Sequence, residues 1–249
     1  MSHQPDDGNT RIYDAWHTDV YQTDIVAYHA RALPLIRRII QRLSLTPFST
    51  GRLLDIACGK GIFLMDVATT SPRVKLYGAD ISRVAIREAK KLVPGADVVV
   101  SDAASLPYTS GRFDFVTCIG GLEYFPDPVK GVAEMARVLK KGGLCVLYVP
   151  NLMFIGYLYL ALRYGTMPSH GGSSGDKTYY DFMNERFYTL EGWNDIITKG
   201  GMNVVSVDRY DNLGSSKYAS PFLIYMYDKV ISRFVPKTLA YCYLFTCSI

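Results

Sequence analysis

Two acidic residues and a pair of glycines have the types and spacing of a ligand site. Asp55, Gly59 and Gly61 occur in the stretch LDIACGKGIF, which begins as an apolar run. Glycine lets the backbone approach a ligand closely, and a helix that begins there offers free N–H donors. Asp80 follows nineteen residues after Gly61, at the end of the next apolar run. A carboxylate at that place can accept hydrogen bonds from both hydroxyls of a ribose, so the pattern predicts a nucleoside site.

The charge around this turn separates two classes of nucleoside ligand. A dinucleotide site needs a third glycine three residues after the second, and this chain has Leu64 there. Asp55 would repel a pyrophosphate but would attract a cationic group, and Asp80 would repel a 2′-phosphate. The predicted ligand is therefore a ribonucleoside that carries a positive charge and no phosphate, a description that S-adenosylmethionine matches.

The elements that must position these residues alternate between strand and helix. Strands joined by helices of about a dozen residues imply right-handed crossovers and a parallel sheet. A proline at Pro128, after the capping residue Asp127, predicts a helix start, and that helix is expected to run to Lys141 and end on Gly142 and Gly143. Strands are predicted at residues 53–57, 74–79, 97–101, 113–119, 144–149, 203–207 and 241–246.

Four segments between residues 52 and 149 resemble, in order and spacing, the motifs of the class I S-adenosylmethionine-dependent methyltransferases. LLDIACGKG resembles the acidic glycine motif, with Ala57 in place of its first glycine, and YGADIS resembles the ribose-binding segment. SDAASLPYTSGRFDFVTCIGGLEYFPDP resembles the adenine segment, and VAEMARVLKKGGLCVLYVPN resembles the helix and fifth strand that follow. The resemblance is to the small-molecule branch that includes the quinone C-methyltransferases. ERFYTLEGWNDIITKGGMNVV is a weaker match to the next helix and strand.

The resemblance implies an α/β fold with a doubly wound, mostly parallel seven-stranded sheet of the Rossmann-like methyltransferase type. Its last strand is expected to be antiparallel and to belong to a hairpin at the sheet edge, and a lid is expected after strand five. A single methyltransferase domain over residues 1–249 follows from this. It divides into an N-terminal helical cap (1–45), a cofactor-binding core (51–150), a lid and substrate insertion (151–188), and C-terminal helices and edge strands (189–249).

The same resemblance implies S-adenosyl-L-methionine as the cofactor, with S-adenosyl-L-homocysteine as the product. Asp102 would accept a hydrogen bond from the adenine amine, and Ala103 would offer its backbone N–H. Asp55 could instead orient the turn, and Asp102 could instead cap the loop that follows it, whereas Asp114 is expected to be structural. The cofactor-binding residues are predicted to be Asp55, Ala57, Cys58, Gly59, Gly61, Asp80, Ile81, Asp102, Ala103, Ile119 and Tyr21.

The acceptor is less well specified, because a base is needed only where the acceptor must lose a proton. Glu123, directly after the fourth strand, and His170, in a glycine-rich segment, are the candidate catalytic residues, and His17 is a third possible base. The apolar stretch 152–165 predicts a small, partly apolar acceptor of the lipid-linked, isoprenoid or quinone, or secondary-metabolite type. Peripheral contact with a membrane surface and ordinary burial are alternatives for this stretch.

Composition and charge argue against other classes of function. The net charge is +4, and the lysines and arginines are scattered, which disfavours nucleic acid as a partner. Five cysteines without metal-ligand spacing predict no metal site. The N-terminus lacks the build of a signal peptide and no apolar run is long enough to span a membrane, so a cytoplasmic location is expected. An NAD-dependent oxidoreductase and a non-catalytic nucleoside-binding subunit remain the alternatives, and the oligomeric state is open.

Overall fold

The structure of the chain, a computed structural model, describes residues 7–19, 25–157, 162, 185–211 and 221–249. Its helices are α1 (Asp7–Asp19), α2 (Ile25–Arg42), α3 (Ile62–Thr70), α4 (Arg83–Leu92), α5 (Pro128–Val138), α6 (Leu190–Lys199) and α7 (Pro221–Lys229). Its strands are β1 (Gly51–Ile56), β2 (Val74–Asp80), β3 (Asp97–Val100), β4 (Phe113–Ile119), β5 (Leu139–Pro150), β6 (Asn203–Tyr210) and β7 (Cys242–Ser248). Single-turn 3-10 helices occur at Leu122–Tyr124, Ile231–Arg233 and Lys237–Leu239.

The seven strands form one sheet in the order β3-β2-β1-β4-β5-β7-β6. Strands β1 to β5 pair in parallel, and β7 is antiparallel to both of its neighbours. These pairings confirm the predicted fold class. The strand order reverses between β1 and β4, and in open α/β sheets the crevice at the carboxyl ends of such strands is where ligands bind.

Helices cover both faces of the sheet, and the burial of β1 shows it directly. Leu53 and Leu54 are adjacent, point to opposite faces and are both completely buried. Leu53 belongs to a core with residues of α2, α3 and α4, and Leu54 belongs to one with residues of α5 and α6. A strand buried on both sides is apolar at nearly every position, which is why its sequence does not alternate.

The predicted end of the helix after Asp127 was wrong. Helix α5 ends at Val138, and β5 begins at the next residue, Leu139, which pairs with Phe113. Phe115 then pairs with Leu144, so β5 carries a bulge of several residues between the two pairs. Gly142 adopts a φ of 77° inside this bulge, so the glycine stops no helix. Leu139 is buried against the neighbouring strand, so the strand begins before the glycines that were predicted to end the helix.

The prediction for the last strand is confirmed. Strand β7 is antiparallel, forms part of the core and pairs with β6 at the edge of the sheet, where β7 lies between β5 and β6. Every residue from Cys242 to Cys247 is buried. Only residues 152–157 and 162 of the predicted apolar stretch fall within the described part of the chain. Among the described residues, no helix combines the length and the apolar character that a membrane span requires.

Candidate functional site

The glycine turn after β1 is held in place by the acid at the end of β2. Ala57, Gly59 and Gly61 all have left-handed backbone conformations, with φ of 56°, 53° and 80°. The backbone N–H of Gly59 donates to Asp80 Oδ2 at 2.8 Å, and the N–H of Ser82 donates to Asp80 Oδ1 at 2.9 Å. A single carboxylate therefore joins the carboxyl ends of two neighbouring strands. Burial raises the pKa of Asp80, and these two N–H donors oppose that shift.

Ala57, which replaces the first glycine of the motif, is accommodated by a glycine elsewhere in the chain. A Cβ on Gly121 would lie 2.5 Å from the Ala57 Cβ. The missing side chain at Gly121 therefore makes room for the methyl group of Ala57. The substitution leaves a non-glycine residue with a positive φ in the turn, a conformation that is unfavourable for a residue with a Cβ.

Asp55, at the end of β1, is almost completely buried, and its carboxylate has a hydroxyl partner. Thr117 Oγ1 on β4 donates to Asp55 Oδ1 at 2.7 Å. Burial raises the pKa of Asp55 to about 7, the Thr117 hydrogen bond opposes the increase, and the charge of Asp80 adds to it. A cation beside this carboxylate would favour its ionised form. No local feature of the sequence indicates Thr117 as the partner.

A cavity of about 300 Å³ lies at these strand ends and brings together most of the predicted cofactor residues. Gly61 does not line it: a Cβ there would lie 3.2 Å from the Ala89 Cβ, so this glycine allows α3 to pack against α4. Tyr21 and the candidate base His170 lie outside the described residues. The predicted residues that line the cavity are Asp55, Ala57, Cys58, Gly59, Asp80, Ile81, Asp102, Ala103 and Ile119.

Asp102 has the contact expected of a loop cap, and Asp114 has the contacts expected of a structural residue. Asp102 lines the cavity, yet its Oδ1 also accepts from the Ala104 backbone N–H at 2.9 Å, so it caps its loop. Asp114 accepts from the Arg52 backbone N–H at 2.8 Å and from Lys140 Nζ at 2.6 Å. The structural role predicted for Asp114 is confirmed.

Most of the remaining wall residues of the cavity come from parts of the chain outside the glycine turn. Helix α2 contributes Tyr28, Ala32, Leu35 and Ile36, which share one helical face, and this spacing is visible in the sequence. The loop after β4 contributes Gly120, Gly121 and residues 124–126, and the segment before α6 contributes Arg186. Helix α1 contributes Ile12, Tyr13 and His17, and the glycine turn adds Lys60. Arg186 falls within the predicted lid and substrate insertion (151–188), whereas Lys60 was not predicted as a site residue.

Helix α1 is attached at two places beside the cavity. Asp14 Oδ1 accepts from the Ser82 hydroxyl at 2.6 Å and from the Val84 backbone N–H at 3.0 Å, at the N-terminus of α4. The hydroxyl of Tyr13 donates to the Tyr124 carbonyl at 3.4 Å. Burial, together with the positive charge of Lys60, lowers the pKa of His17 to about 4. The imidazole of His17 is therefore neutral at physiological pH.

Glu123 occupies the 3-10 turn after β4 and is buried behind the cavity wall. It does not line the cavity, and its Oε1 lies 3.7 Å from where a Cβ on Gly120 would be. Its other oxygen, Oε2, is buried without a hydrogen-bond partner among the described residues. Burial raises the pKa of Glu123 to about 8, and the negative charge of Glu185 contributes. The carboxyl therefore lies next to the bare backbone of Gly120 and holds a proton at neutral pH.

The packing around α3 is that expected of a binding site for a nucleoside without phosphate groups. Leu64 is completely buried, and a Cβ on Gly78 of β2 would lie 3.1 Å from its Cδ1. The third glycine of a dinucleotide site serves close packing of the helix on the strand, and here a leucine fills that space. Together with the carboxylates of Asp55 and Asp80, this packing suits a cationic nucleoside such as S-adenosylmethionine better than a dinucleotide.

Comparison with known proteins finds a methyltransferase domain in this part of the chain. The family described as "Methyltransferase domain" matches residues 54–147, the stretch that contains the glycine turn and strands β2 to β4. The chain is 36% identical over 103 residues to demethylmenaquinone methyltransferase of Deinococcus radiodurans, which covers 40% of this chain and 43% of the relative. It is 39% identical over 161 residues to the ubiquinone/menaquinone biosynthesis C-methyltransferase UbiE of Desulfotalea psychrophila, covering 61% and 65%. The aligned region thus spans less than two thirds of either relative.

A solved structure extends the similarity to nearly the whole fold. Phosphoethanolamine N-methyltransferase 2 of Haemonchus contortus, in complex with S-adenosyl-L-methionine, superimposes with a TM-score of 0.63 and 19% sequence identity. The match covers 95% of this chain and 59% of that chain. Residues 54–147 match a methyltransferase domain, and in this match, in the sheet order and in the acids around the glycine turn the chain resembles the class I S-adenosylmethionine-dependent methyltransferases, including their quinone C-methyltransferase branch.

Proposed function

We propose that this protein transfers a methyl group from S-adenosylmethionine to a small acceptor with an apolar body, of the quinone or isoprenoid class. One observation carries the proposal: the cavity joins two chemically different walls. The strand ends supply the carboxylates of Asp55 and Asp80, whereas α2 and the loop after β4 supply aliphatic and aromatic side chains. The first wall suits a cationic nucleoside, and the second suits an apolar ring or chain.

The residues at the strand ends would hold the cofactor, which supplies a methyl group activated by its sulfonium. Each oxygen of Asp80 accepts one backbone N–H, and a carboxylate has capacity for further donors, so the ribose hydroxyls can bind there. Asp55 would complement the positive charge, and Asp102 with the Ala103 N–H would bind the adenine. The Asp80 contact with Gly59 keeps the turn in the conformation that admits the ligand.

The apolar wall would orient the acceptor for in-line attack. Tyr28, Leu35 and Phe125 line the cavity and offer flat or aliphatic surfaces to a ring. Well-oriented reactants can gain on the order of 7–11 kcal/mol relative to the same reaction in solution. The names of the two sequence relatives point to quinone-type acceptors, and we extend that class to this chain.

We further propose that Glu123, in its ionised form, accepts the proton that a hydroxyl or an acidic carbon of the acceptor loses. A base is most effective when its pKa is close to the working pH, and burial raises the pKa of Glu123 to about 8. Its Oε1 lies 3.7 Å from where a Cβ on Gly120 would be, and Gly120 lines the cavity. His170 is the second candidate for this role.

The function is tested by incubating the purified protein with S-adenosylmethionine and a water-soluble, short-chain hydroquinone that lacks one ring methyl group. We expect a methylated product by mass spectrometry, and we expect S-adenosylhomocysteine but not NADH to raise the melting temperature. Stabilisation by NADH alone would favour the oxidoreductase alternative. Binding of S-adenosylhomocysteine without turnover of hydroquinones or other apolar acceptors would favour a non-catalytic subunit.

The role of Glu123 is tested by the substitution Glu123→Gln. Loss of a general base should lower kcat about 10²- to 10⁴-fold and remove the rise of rate towards pH 8. The affinity for S-adenosylhomocysteine should not change, because Glu123 does not line the cavity. Glu88→Gln, at a partly exposed residue of α4, is the matched control, and His170→Ala tests the second candidate. An unchanged kcat in Glu123→Gln would show that this carboxyl is not the base.

A further inference from the structure

The segment after β6 exposes an unusual number of large apolar side chains. Phe234 is 83% exposed, Phe222 68%, Tyr225 60% and Ile231 45%. Among them lie two exposed cations, Lys229 and Arg233. We call these six residues the aromatic–basic surface. Single exposed hydrophobic residues are common in proteins, but groups of this size usually mark a binding surface.

A small core of its own holds this surface in place. Tyr227 of α7 packs against Phe154 with ring centroids 5.7 Å apart, and Phe154 packs against Tyr241 at 5.0 Å. Val235 packs against the same cluster. The buried side chains thus fix α7 and the 3-10 turn after it to the segment that follows β5. That segment adds exposed apolar residues of its own, Met153 and Ile155.

The charges of the segment favour an anionic lipid bilayer as its partner. Residues 221–239 carry three cations, with Lys237 as the third, and one acid, Asp228. Lysine is depleted at interfaces between proteins, whereas aromatic residues together with lysine and arginine are typical of segments that lie in the lipid headgroup region. Anionic headgroups attract such cations, and the aromatic rings enter the boundary between headgroups and acyl chains.

The aromatic–basic surface is connected to a wall of the cavity. Tyr157, in the same small core, packs against Phe187 with ring centroids 5.7 Å apart. The adjacent Arg186 lines the cavity, and its guanidinium donates to the carbonyl of Pro126 in the loop after β4. The segment 185–188 thus contacts both the small core and the cavity.

We propose that the aromatic–basic surface docks the protein on anionic bilayers, so that an acceptor carried in the membrane reaches the cavity beside it. Docking itself stands on the exposed aromatic residues and cations, while the delivery of a lipid-borne acceptor rests on the function proposed above. Segment 185–188 contacts both the small core and the cavity, and this contact connects the docking surface to the place where the acceptor would bind.

Vesicle co-sedimentation of the full chain tests the docking. We expect binding to vesicles of phosphatidylcholine with about one-third phosphatidylglycerol, weaker binding to pure phosphatidylcholine, and release by salt. The variants Phe222→Ser/Phe234→Ser and Lys229→Glu/Arg233→Glu should each lower the bound fraction about tenfold. Phe48→Ser is the matched control, because Phe48 is 81% exposed and lies between α2 and β1. This control should bind vesicles as the unmodified chain does.

Other outcomes would overturn the docking proposal. It fails if the chain does not bind anionic vesicles, or if Phe48→Ser weakens binding as much as the double variants do. It also fails if Phe222→Ser/Phe234→Ser dissociates a dimer in vesicle-free sedimentation, since the surface would then join two copies of the chain. Methyl transfer to the water-soluble hydroquinone is measured separately and should be the same in both double variants. If the unmodified chain methylates the hydroquinone but does not bind anionic vesicles, docking is refuted and the proposed function stands.

Discussion

Asp55 and Asp80 are neighbours on adjacent strand ends, but their surroundings differ. Asp80 is held by two backbone N–H groups, which makes it part of the turn as well as a potential ligand residue. Asp55 has the Thr117 hydroxyl, and burial raises its pKa to about 7. The positions of the two acids and of Gly59 at the cavity were predictable because each lies within a few residues of a strand end. The Thr117 contact was not, since it depends on the pairing of β1 with β4.

The raised pKa of Asp55 predicts that cofactor affinity depends on pH. Below pH 7 the free protein holds a proton on Asp55, and binding of a cation must displace it. The affinity for S-adenosylmethionine should therefore rise with pH, by up to about tenfold per unit below pH 7, and level off above it. Titration calorimetry between about pH 5 and 8 measures this, and Asp55→Asn should remove the dependence. The same slope in Asp55→Asn would assign it to another group, although His17 titrates near pH 4 and lies below this window.

Ala57 and Gly121 share one space, which predicts that their substitutions are coupled. Gly121→Ala should destabilise the fold by about 1–3 kcal/mol, because its Cβ would meet the Ala57 Cβ. Ala57→Gly should be neutral or stabilising by up to about 1 kcal/mol, because it relieves a left-handed conformation. The double variant should recover about 1 kcal/mol or more of the Gly121→Ala loss in urea denaturation.

A control separates this coupling from a general effect of added methyl groups. Gly95→Ala is suitable, because a Cβ at Gly95 meets nothing within 4 Å. Its free energy of unfolding should be close to that of the unmodified chain. Strictly additive effects of Ala57→Gly and Gly121→Ala would show that the two residues do not compete for space.

At the scale of elements, α1 and α4 are joined through the capping residue of α4. The Ser82 hydroxyl accepts from the Ala85 N–H at 3.1 Å and donates to Asp14, so one hydroxyl serves both helices. Asp14 also lies at the N-terminus of α4, where a negative charge is favourable. The cap at Ser82 was predictable from the sequence, whereas its contact with α1 joins residues 68 positions apart. No local pattern reports such a pairing.

This junction predicts that Asp14 slows the release of the cofactor. Asp14→Ala removes both contacts with α4, which should cost about 1 kcal/mol and raise the dissociation rate of S-adenosylhomocysteine several-fold. The association rate should change little, since the residues at the strand ends are unaltered. Stopped-flow fluorescence measures both rates. Thr18→Ala, at an exposed position of the same helix, is the control, and equal dissociation rates in the two variants would contradict a role for the junction.

At the scale of the whole molecule, the sheet and the strand-end wall of the cavity were more predictable than its other walls. The strands and the acids follow from local runs of residues and from motifs in register. The other walls are assembled from α1, α2, the loop after β4 and Arg186, which extend from residue 12 to residue 186 of the chain. The bulge of β5 escaped prediction for a similar reason, since the pairing of Leu139 with Phe113 outweighs the helix-stop signal of the glycines.

The position of β7 has a consequence for how the chain can acquire its structure. Strands β1 to β5 are complete by residue 150, yet β7, the second neighbour of β5 in the sheet, begins only at Cys242. During synthesis β5 therefore remains an open edge while more than ninety further residues are made, and open edges are where strands of different molecules pair. Contacts between such distant segments also form slowly. The growing chain is therefore most exposed to aggregation between the completion of β5 and the synthesis of β7.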